Sequence, residues 1–433
     1  MIVLTHGYSD SNKGDVAIAL GTVAVLRRAM PEASILSHSG YSEAHVDFRQ
    51  HTRWMTREGI PVAEGVLPSP YLDDNATGRW RDAAAMVRLA RETFCLAALL
   101  VLPRLARLHP RKARALAALR RASLVVARGG QYLHNESGRV RGAIFLLRML
   151  INLAVPVGLG RPTVVLGMSL GPFHGALARR LATAVLRGCR LIVVREPLSA
   201  EFLRARGLSA TARLVPDLAF VTTPTRTSSS RLPEQTWLGV TLVNWDFPGH
   251  LQPSQALAEY VEAVLHGLEE IHAAFSLVPL LVPQVTVGHH GRHDRSLQEQ
   301  VAEQLHARRV PAKTISADLS PGELCDVFGQ CRLVLASRLH SVILAACAGT
   351  PSVAIRYQGY KTQGISSMLS TSLPVHEIDS LDADKLTASL RFVLAQREAL
   401  SAELRARVVA FREQIRTCGD EIASIAHESK AEP

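Results

Sequence analysis

Apolar positions in this chain come in short continuous runs, each closed by a polar or glycine-rich exit and followed by a stretch of helical periodicity. In the first half the runs are residues 2–4, 35–36, 124–127, 163–166, 191–194 and 214–215; in the second they are 238–243, 277–282 and 353–357. Between them, 16–30, 141–153, 176–187, 254–275, 294–308 and 321–331 read as helices. Continuous apolar strands alternating with helices predict an α/β protein whose parallel sheets are covered on both faces. Residues 222–234 are rich in Thr, Ser and Pro and carry no apolar period, so a linker is placed at 225–234. It separates an N-terminal Rossmann-like domain (1–224, with a helical insertion at about 81–121) from a C-terminal one (235–380), with a cleft expected between them. A helical region, 381–433, is long enough to pack back on the N-terminal domain.

The rest is organised around one stretch. An apolar run ends in Ser337-Arg338-Leu339-His340, and a helix rich in small residues follows as far as Gly349. In an open α/β sheet the loops at the carboxyl ends of strands form the ligand crevice, and the amides of the following helix favour an anion. Arg338 and His340 therefore stand where a phosphate or carboxylate would bind. The first loop, Gly7 to Asp15, is a second place where backbone amides and Lys13 could meet an anion, with Asp15 near the helix start.

Composition narrows the partners. The formal charge is +11, which suits nucleic acid, an anionic membrane surface or acidic substrates. The arginines are spread through predicted helices, with no zinc-finger spacing or aromatic RNA-binding signature, so nucleic acid is not expected. Between 81 and 121 arginines are threaded among leucines and alanines. Such a basic amphipathic surface can lie against anionic lipid; a solvated helical face with snorkelling arginines is the alternative. Six cysteines without paired metal spacing read as reduced core thiols, there is no basic leader with a cleavage site, and the apolar runs are too short to span a bilayer. The expected location is cytoplasmic, with peripheral contact at the inner face of the plasma membrane as the further possibility. His289, His290 and His293 lie in a glycine-flanked loop with Asp294 as the one nearby carboxylate, and no metal is expected there.

The ordered strand exits resemble those of the polysaccharide pyruvyl transferase family. The elements that carry the resemblance are Asn12-Lys13-Gly14-Asp15, Gly129-Gly130, Gly167-Met168-Ser169-Leu170-Gly171-Pro172-Phe173, Arg195-Glu196 with Ser199, Pro216-Asp217, Ser337-Arg338-Leu339-His340, and Gly349-Thr350-Pro351 leading to Tyr357 and Lys361. The resemblance implies a GT-B-like pair of Rossmann-like domains and transfer of pyruvate from phosphoenolpyruvate to a sugar as a ketal. It puts the phosphoenolpyruvate-binding positions on Arg195, Arg338 and His340. Asn12, Gly129, Gly130, Ser169 and Gly171 are assigned to the acceptor side or its loops. Two departures stand out: Arg128 replaces a glycine before the pair, and His134-Asn135 replaces an acidic residue after it.

Phosphoenolpyruvate carries a phosphate and a carboxylate close together, so its site needs several cationic donors in fixed geometry, and arginine's planar fork suits both. The reaction needs a general acid and a general base. His340 is the candidate acid, with a purely phosphate-binding role as the alternative. Asp15 and Asp217 are candidate bases or acceptor ligands, and helix capping or loop bracing is the other reading of each. Glu196 is expected to brace the site, and Lys361 could join it. The partners implied are phosphoenolpyruvate and a nucleotide- or lipid-linked sugar, with no cofactor. Alternative functions are a GT-B-type glycosyltransferase using a nucleotide-sugar and a non-catalytic glycan-binding protein of the same fold.

Overall fold

The computed structural model describes residues 1–7, 9–71, 81–135, 140–285, 293–357, 361–370 and 372–431; at 81, 82, 140, 141, 361, 363 and 429–431 it describes the backbone alone. The chain forms two compact units, one of Met1–Asp10, Ile18–Leu218 and Glu413–Pro433, the other of Ser11–Ala17 and Ala219–Arg412.

The first unit is built on a seven-stranded sheet: β1 (Ile2–Gly7), β2 (Ile35–Ser39), β3 (Val62–Glu64), β4 (Leu124–Leu133), β5 (Thr163–Leu170), β6 (Leu191–Val194) and β7 (Ala212–Leu214). Their order is β3-β2-β1-β4-β5-β6-β7 and every neighbouring pair is parallel. The second unit has six: β8 (Trp237–Thr241), β9 (Val278–Leu281), β10 (Lys313–Thr314), β11 (Cys331–Ala336), β12 (Ser352–Arg356) and β13 (Val375–Glu377). Here the order is β10-β9-β8-β11-β12-β13, again all parallel. Both are doubly wound sheets whose strand order reverses once, between β1 and β4 and between β8 and β11, and the crevice at such a reversal is where these folds bind ligands.

The sequence reading stops two strands too early. It ends one at Ala127 and the next at Leu166, taking the following glycines as turn signals, whereas β4 runs on to Leu133 and β5 to Leu170. Gly129 lies inside the sheet, where a Cβ would come 2.4 Å from the Gly167 carbonyl oxygen. Glycine is used here for close strand approach, with register shifts between Gly130 and Leu133 and between Leu166 and Met168.

Burial accounts for the helices. Leu146, Met149, Leu150 and Leu153 of the helix Val140–Gly158 pack on β4 and β5. In the second unit the helix Pro253–Phe275 starts with proline in its first turn and ends at Ser276 in the left-handed region, and its Val264, Leu268 and Ile271 enter the core under β8 and β11. Ser320 and Glu323 form a capping box at the start of Pro321–Gly329. Residues 225–234 are tied down rather than extended, since the Ser230 hydroxyl is buried and donates to Asp326 at 2.7 Å. Toward the C-terminus, Leu386, Leu390 and Val393 of the helix Ala383–Ala395 and Leu400 of Arg397–Ala431 belong to the second core. From Glu413 onward the long helix counts with the first unit, where Gly419 sits against Val25.

Candidate active site

In the second unit the Ser337 amide, just past β11, donates to the Thr241 carbonyl at the end of β8 (2.9 Å), which puts Ser337 and Arg338 at the point where the strand order reverses. Arg338 is the N-cap residue of the helix Leu339–Cys347, but its side chain does not cap. Its Nε and Nη2 donate to the two oxygens of Asp294 at 3.3 and 2.5 Å, and its Nη1 donates to the Tyr357 hydroxyl at 3.1 Å. Asp294 is wholly buried and accepts two further amides, from Gln284 (3.2 Å) and Val285 (3.0 Å). All three guanidinium nitrogens are thus engaged. Three of its five N–H donors are used, and its side chain stays 12% exposed.

Electrostatics keep this arginine charged. Burial works against its charge, but the Asp294 carboxylate beside it outweighs that and holds Arg338 above the ordinary arginine value. Burial pushes the Asp294 carboxyl up, while Arg338 and the two amides pull it down. Beneath the pair, the Tyr260 hydroxyl bonds to Ser337 Oγ at 2.8 Å, and burial raises the tyrosine well above its usual value.

The first turn of the helix Lys13–Ala29 belongs to this unit. The Lys13 amide donates to the Gln284 carbonyl at 3.0 Å, Asn12 pairs with Val285 in an isolated antiparallel bridge, and the Gly14 amide donates to Asn12 Oδ1 at 3.0 Å. Lys13, expected to reach an anion, is instead buried with its ammonium on Asp318. Gly14 lies under His340, where a Cβ would fall 2.1 Å from Nδ1. Asp15 follows in the same turn, half-buried. Around this cluster, Thr241 Oγ1, Ser341 Oγ and both amide atoms of Gln284 are buried without a hydrogen-bond partner. These three side chains lie at or just past the carboxyl ends of β8, β9 and β11, beside Arg338 and His340 in sequence or fold, and their hydrogen-bonding capacity is unused within the chain.

In the first unit Arg195, just past β6, is only 2% exposed. Its Nε donates to Ser169 Oγ at 2.9 Å and its Nη1 to Asp217 Oδ2 at 2.5 Å. Asp217, a candidate base, is therefore the buried counter-ion of Arg195. Glu196 caps the helix Pro197–Arg204 by accepting the Ser199 amide, and the Ser199 hydroxyl bonds to the same carboxylate and accepts the Leu170 amide at 2.7 Å. Gly171, at φ 83°, donates its amide to Leu133 and precedes the cis peptide to Pro172. Asn135 brackets the same loop, donating to the His174 carbonyl (2.9 Å) and accepting its amide (2.7 Å).

The predicted residues thus fall into two groups: Asn12, Asp15, Arg338 and His340 in the second unit, and Gly129, Gly130, Ser169, Gly171, Arg195 and Asp217 in the first. Lys361 begins the helix Lys361–Leu369, but its side chain, like His289 and His290, lies outside the described residues. His293 immediately precedes the helix Asp294–Ala307 without capping it. Among the described residues one set could hold a metal: the ligand atoms of His45, Asp47 and His51 lie within 4.8 Å of one another, with His51 Nδ1 bonded to Ser9 Oγ at 2.6 Å.

Comparison with known proteins gives relatives in sequence and in fold. The chain is 25% identical over 287 residues to the amylovoran biosynthesis protein AmsJ of Erwinia amylovora, a match over 61% of this chain and 64% of that protein, so it spans less than two thirds of that relative. Among solved structures it resembles Anabaena Alr3699/HepE in complex with UDP and glucose (TM-score 0.51, 12% identity, 99% of this chain and 98% of that one). It also resembles Arabidopsis thaliana UGT89C1 complexed with quercetin (TM-score 0.56, 13% identity, 99% of each) and a putative UDP-N-acetylglucosamine 2-epimerase from Listeria monocytogenes (TM-score 0.55, 11% identity, 93% and 90%). At these identities the likeness is one of fold, that of two Rossmann-like domains. The family model described as polysaccharide pyruvyl transferase matches residues 12–359, and the chain belongs to that family.

Proposed function

We propose that this protein moves the pyruvyl group of phosphoenolpyruvate onto a sugar as a ketal, in exopolysaccharide or cell-envelope glycan synthesis. The observation that carries the reading is the clamped guanidinium of Arg338, held by Asp294 and Tyr357 at the start of a helix beside His340. A fork held in place by a carboxylate and a tyrosine keeps its two remaining N–H groups in fixed positions for an incoming anion, and the helix amides add to the attraction. The phosphate and carboxylate of phosphoenolpyruvate fit that double demand.

In this scheme His340 delivers a proton to the enol methylene carbon, positive charge develops on the carbon bearing the phosphate oxygen, and a sugar hydroxyl adds there. Phosphate leaves, and a second hydroxyl closes the ketal. Asp15, half-buried one residue from the glycine under His340, takes the first hydroxyl's proton as general base and passes it to the departing phosphate, and the second hydroxyl's proton returns to His340. Arg195 contributes a buried cation in the first unit, and we assign Asp217 to holding it rather than to proton transfer. No resident metal or organic cofactor is called for by these steps. The acceptor is a nucleotide- or lipid-linked sugar.

Ligand-dependent thermal stabilisation tests this. Phosphoenolpyruvate at about 100 times its Kd should stabilise the protein by about 2.7 kcal/mol, and the Arg338→Lys variant, which keeps the charge but not the fork, should lose most of that gain. Stabilisation by nucleotide-sugars alone, or full phosphoenolpyruvate binding by Arg338→Lys and Arg338→Ala, would refute the proposal.

A further inference from the structure

The helix Arg81–Val101 buries one side and leaves a conspicuous one open. Leu89, Leu96 and Leu99 face the core, while Val87, Phe94 and Val101, seven residues apart along the helix, are 70%, 74% and 77% exposed. Leu108 is also exposed, at 72%, beyond a short 3-10 turn that carries Arg104 and Arg107 on the surface. Seven residues are close to two helical turns, so Val87, Phe94 and Val101 lie along one outward side of the helix rather than at scattered positions. A water-facing helix has no reason to place Val, Phe and Val at those positions, and a continuous exposed apolar stripe marks an interaction surface.

Charge identifies the occupant. Between residues 83 and 121 the sequence holds nine Lys and Arg and a single acid, Glu92, which is bound to the buried Lys112 at 3.0 Å; Arg111 and Arg114 lie 3.4 and 3.7 Å from Glu43, and the other arginines still leave the segment basic. Two copies of so basic a segment repel one another, whereas an anionic surface attracts it. Apolar side chains beside arginines are also what an interfacial helix needs, the first sinking among acyl chains and the second reaching phosphates. No helix among the described residues is long and apolar enough to cross a membrane, so this one would lie on the surface. We infer that the stripe of Val87, Phe94 and Val101, with the exposed Arg104, Arg107 and Leu108 beyond the helix end, docks the first unit onto an anionic lipid bilayer.

The inference does not depend on the chemistry proposed above and is tested without substrate. In flotation with vesicles of phosphatidylcholine and phosphatidylglycerol the full chain should rise with the lipid, less so in high salt, and should stay down with phosphatidylcholine alone. The triple variant Val87→Ser, Phe94→Ser, Val101→Ser should partition at least about tenfold more weakly, with an unchanged circular dichroism spectrum because all three side chains are exposed. Should it fold poorly, the Arg104→Glu, Arg107→Glu pair is expected to give the same loss. The inference is overturned by a wild-type chain that does not float, by variants that float as the wild type does, or by a vesicle-free dimer that the triple variant converts to monomer.

Discussion

The imidazole of His340 rests on the Cα of Gly14, with Nδ1 only 2.1 Å from where a β-carbon would stand. Any side chain at position 14 must push the ring aside. Gly14→Ala should therefore cost about 1–3 kcal/mol of stability from overpacking and lower the proposed pyruvyl transfer far more than that loss explains. Thermal melts and initial rates on the same preparation check it; unchanged turnover would mean that the position of His340 does not matter.

Arg338 and Asp294 should be separable into a structural and a functional contribution. Arg338→Ala leaves a buried carboxylate without its counter-ion, at a cost of about 3–5 kcal/mol. Arg338→Met combined with Asp294→Leu should recover much of that stability and none of the proposed phosphoenolpyruvate binding. Urea denaturation beside ligand-induced stabilisation distinguishes the two.

The same logic applies to Arg195 and Asp217, buried at 2% and 0% exposure. Asp217→Asn should destabilise by about 3–5 kcal/mol, because the arginine loses its charge partner. Ser169→Ala, which removes one hydrogen bond to that arginine, should cost about 1 kcal/mol. A variant Asp217→Asn with normal stability but no activity would point to proton transfer instead.

Acid should weaken the protein through its first unit. Burial lowers His6 and His38 from 6.5 to about 4, so their contribution is complete above pH 6.5 and is lost as pH falls toward 4. Asp10 opposes them: burial raises its carboxyl from 3.8 to about 6, so its contribution is complete below pH 3.8 and is lost as pH rises through 6. Two histidines outweigh one aspartate, for a net loss on the order of 3 kcal/mol between pH 7 and pH 4. In Asp10→Asn the decline on acidification should be steeper, which denaturant midpoints across this range would reveal.

Much of this was legible in the order of residues because strand exits advertise themselves. Arg338 and His340 follow an apolar run and open a helix, whereas Glu196, expected to brace the site, caps the helix that follows it. What fixes those groups was not legible. Asp294 lies 44 residues before Arg338 and looked like a neighbour of histidines, and Tyr260 lies 77 residues before Ser337. Such partners are set by which strand ends the sheet order brings together, and local periodicity carries no trace of that. Gly129 and Gly167 misled for a related reason, since a glycine needed for close strand approach is spelled like one needed for a turn. The outward stripe of the helix Arg81–Val101 was concealed too, because spacing alone does not say which apolar face is covered.

Neither unit is encoded as one uninterrupted stretch. Residues 11–17 fold with the second unit and 413–433 with the first. A gene split within residues 225–234 would leave Gly14 on one polypeptide and His340 on the other, and would strip the first fragment of the helix end that supplies Gly419 against Val25. Activity from such halves would require them to reassociate after synthesis, so fragment complementation, rather than expression of either piece, is the format in which this protein can be dissected.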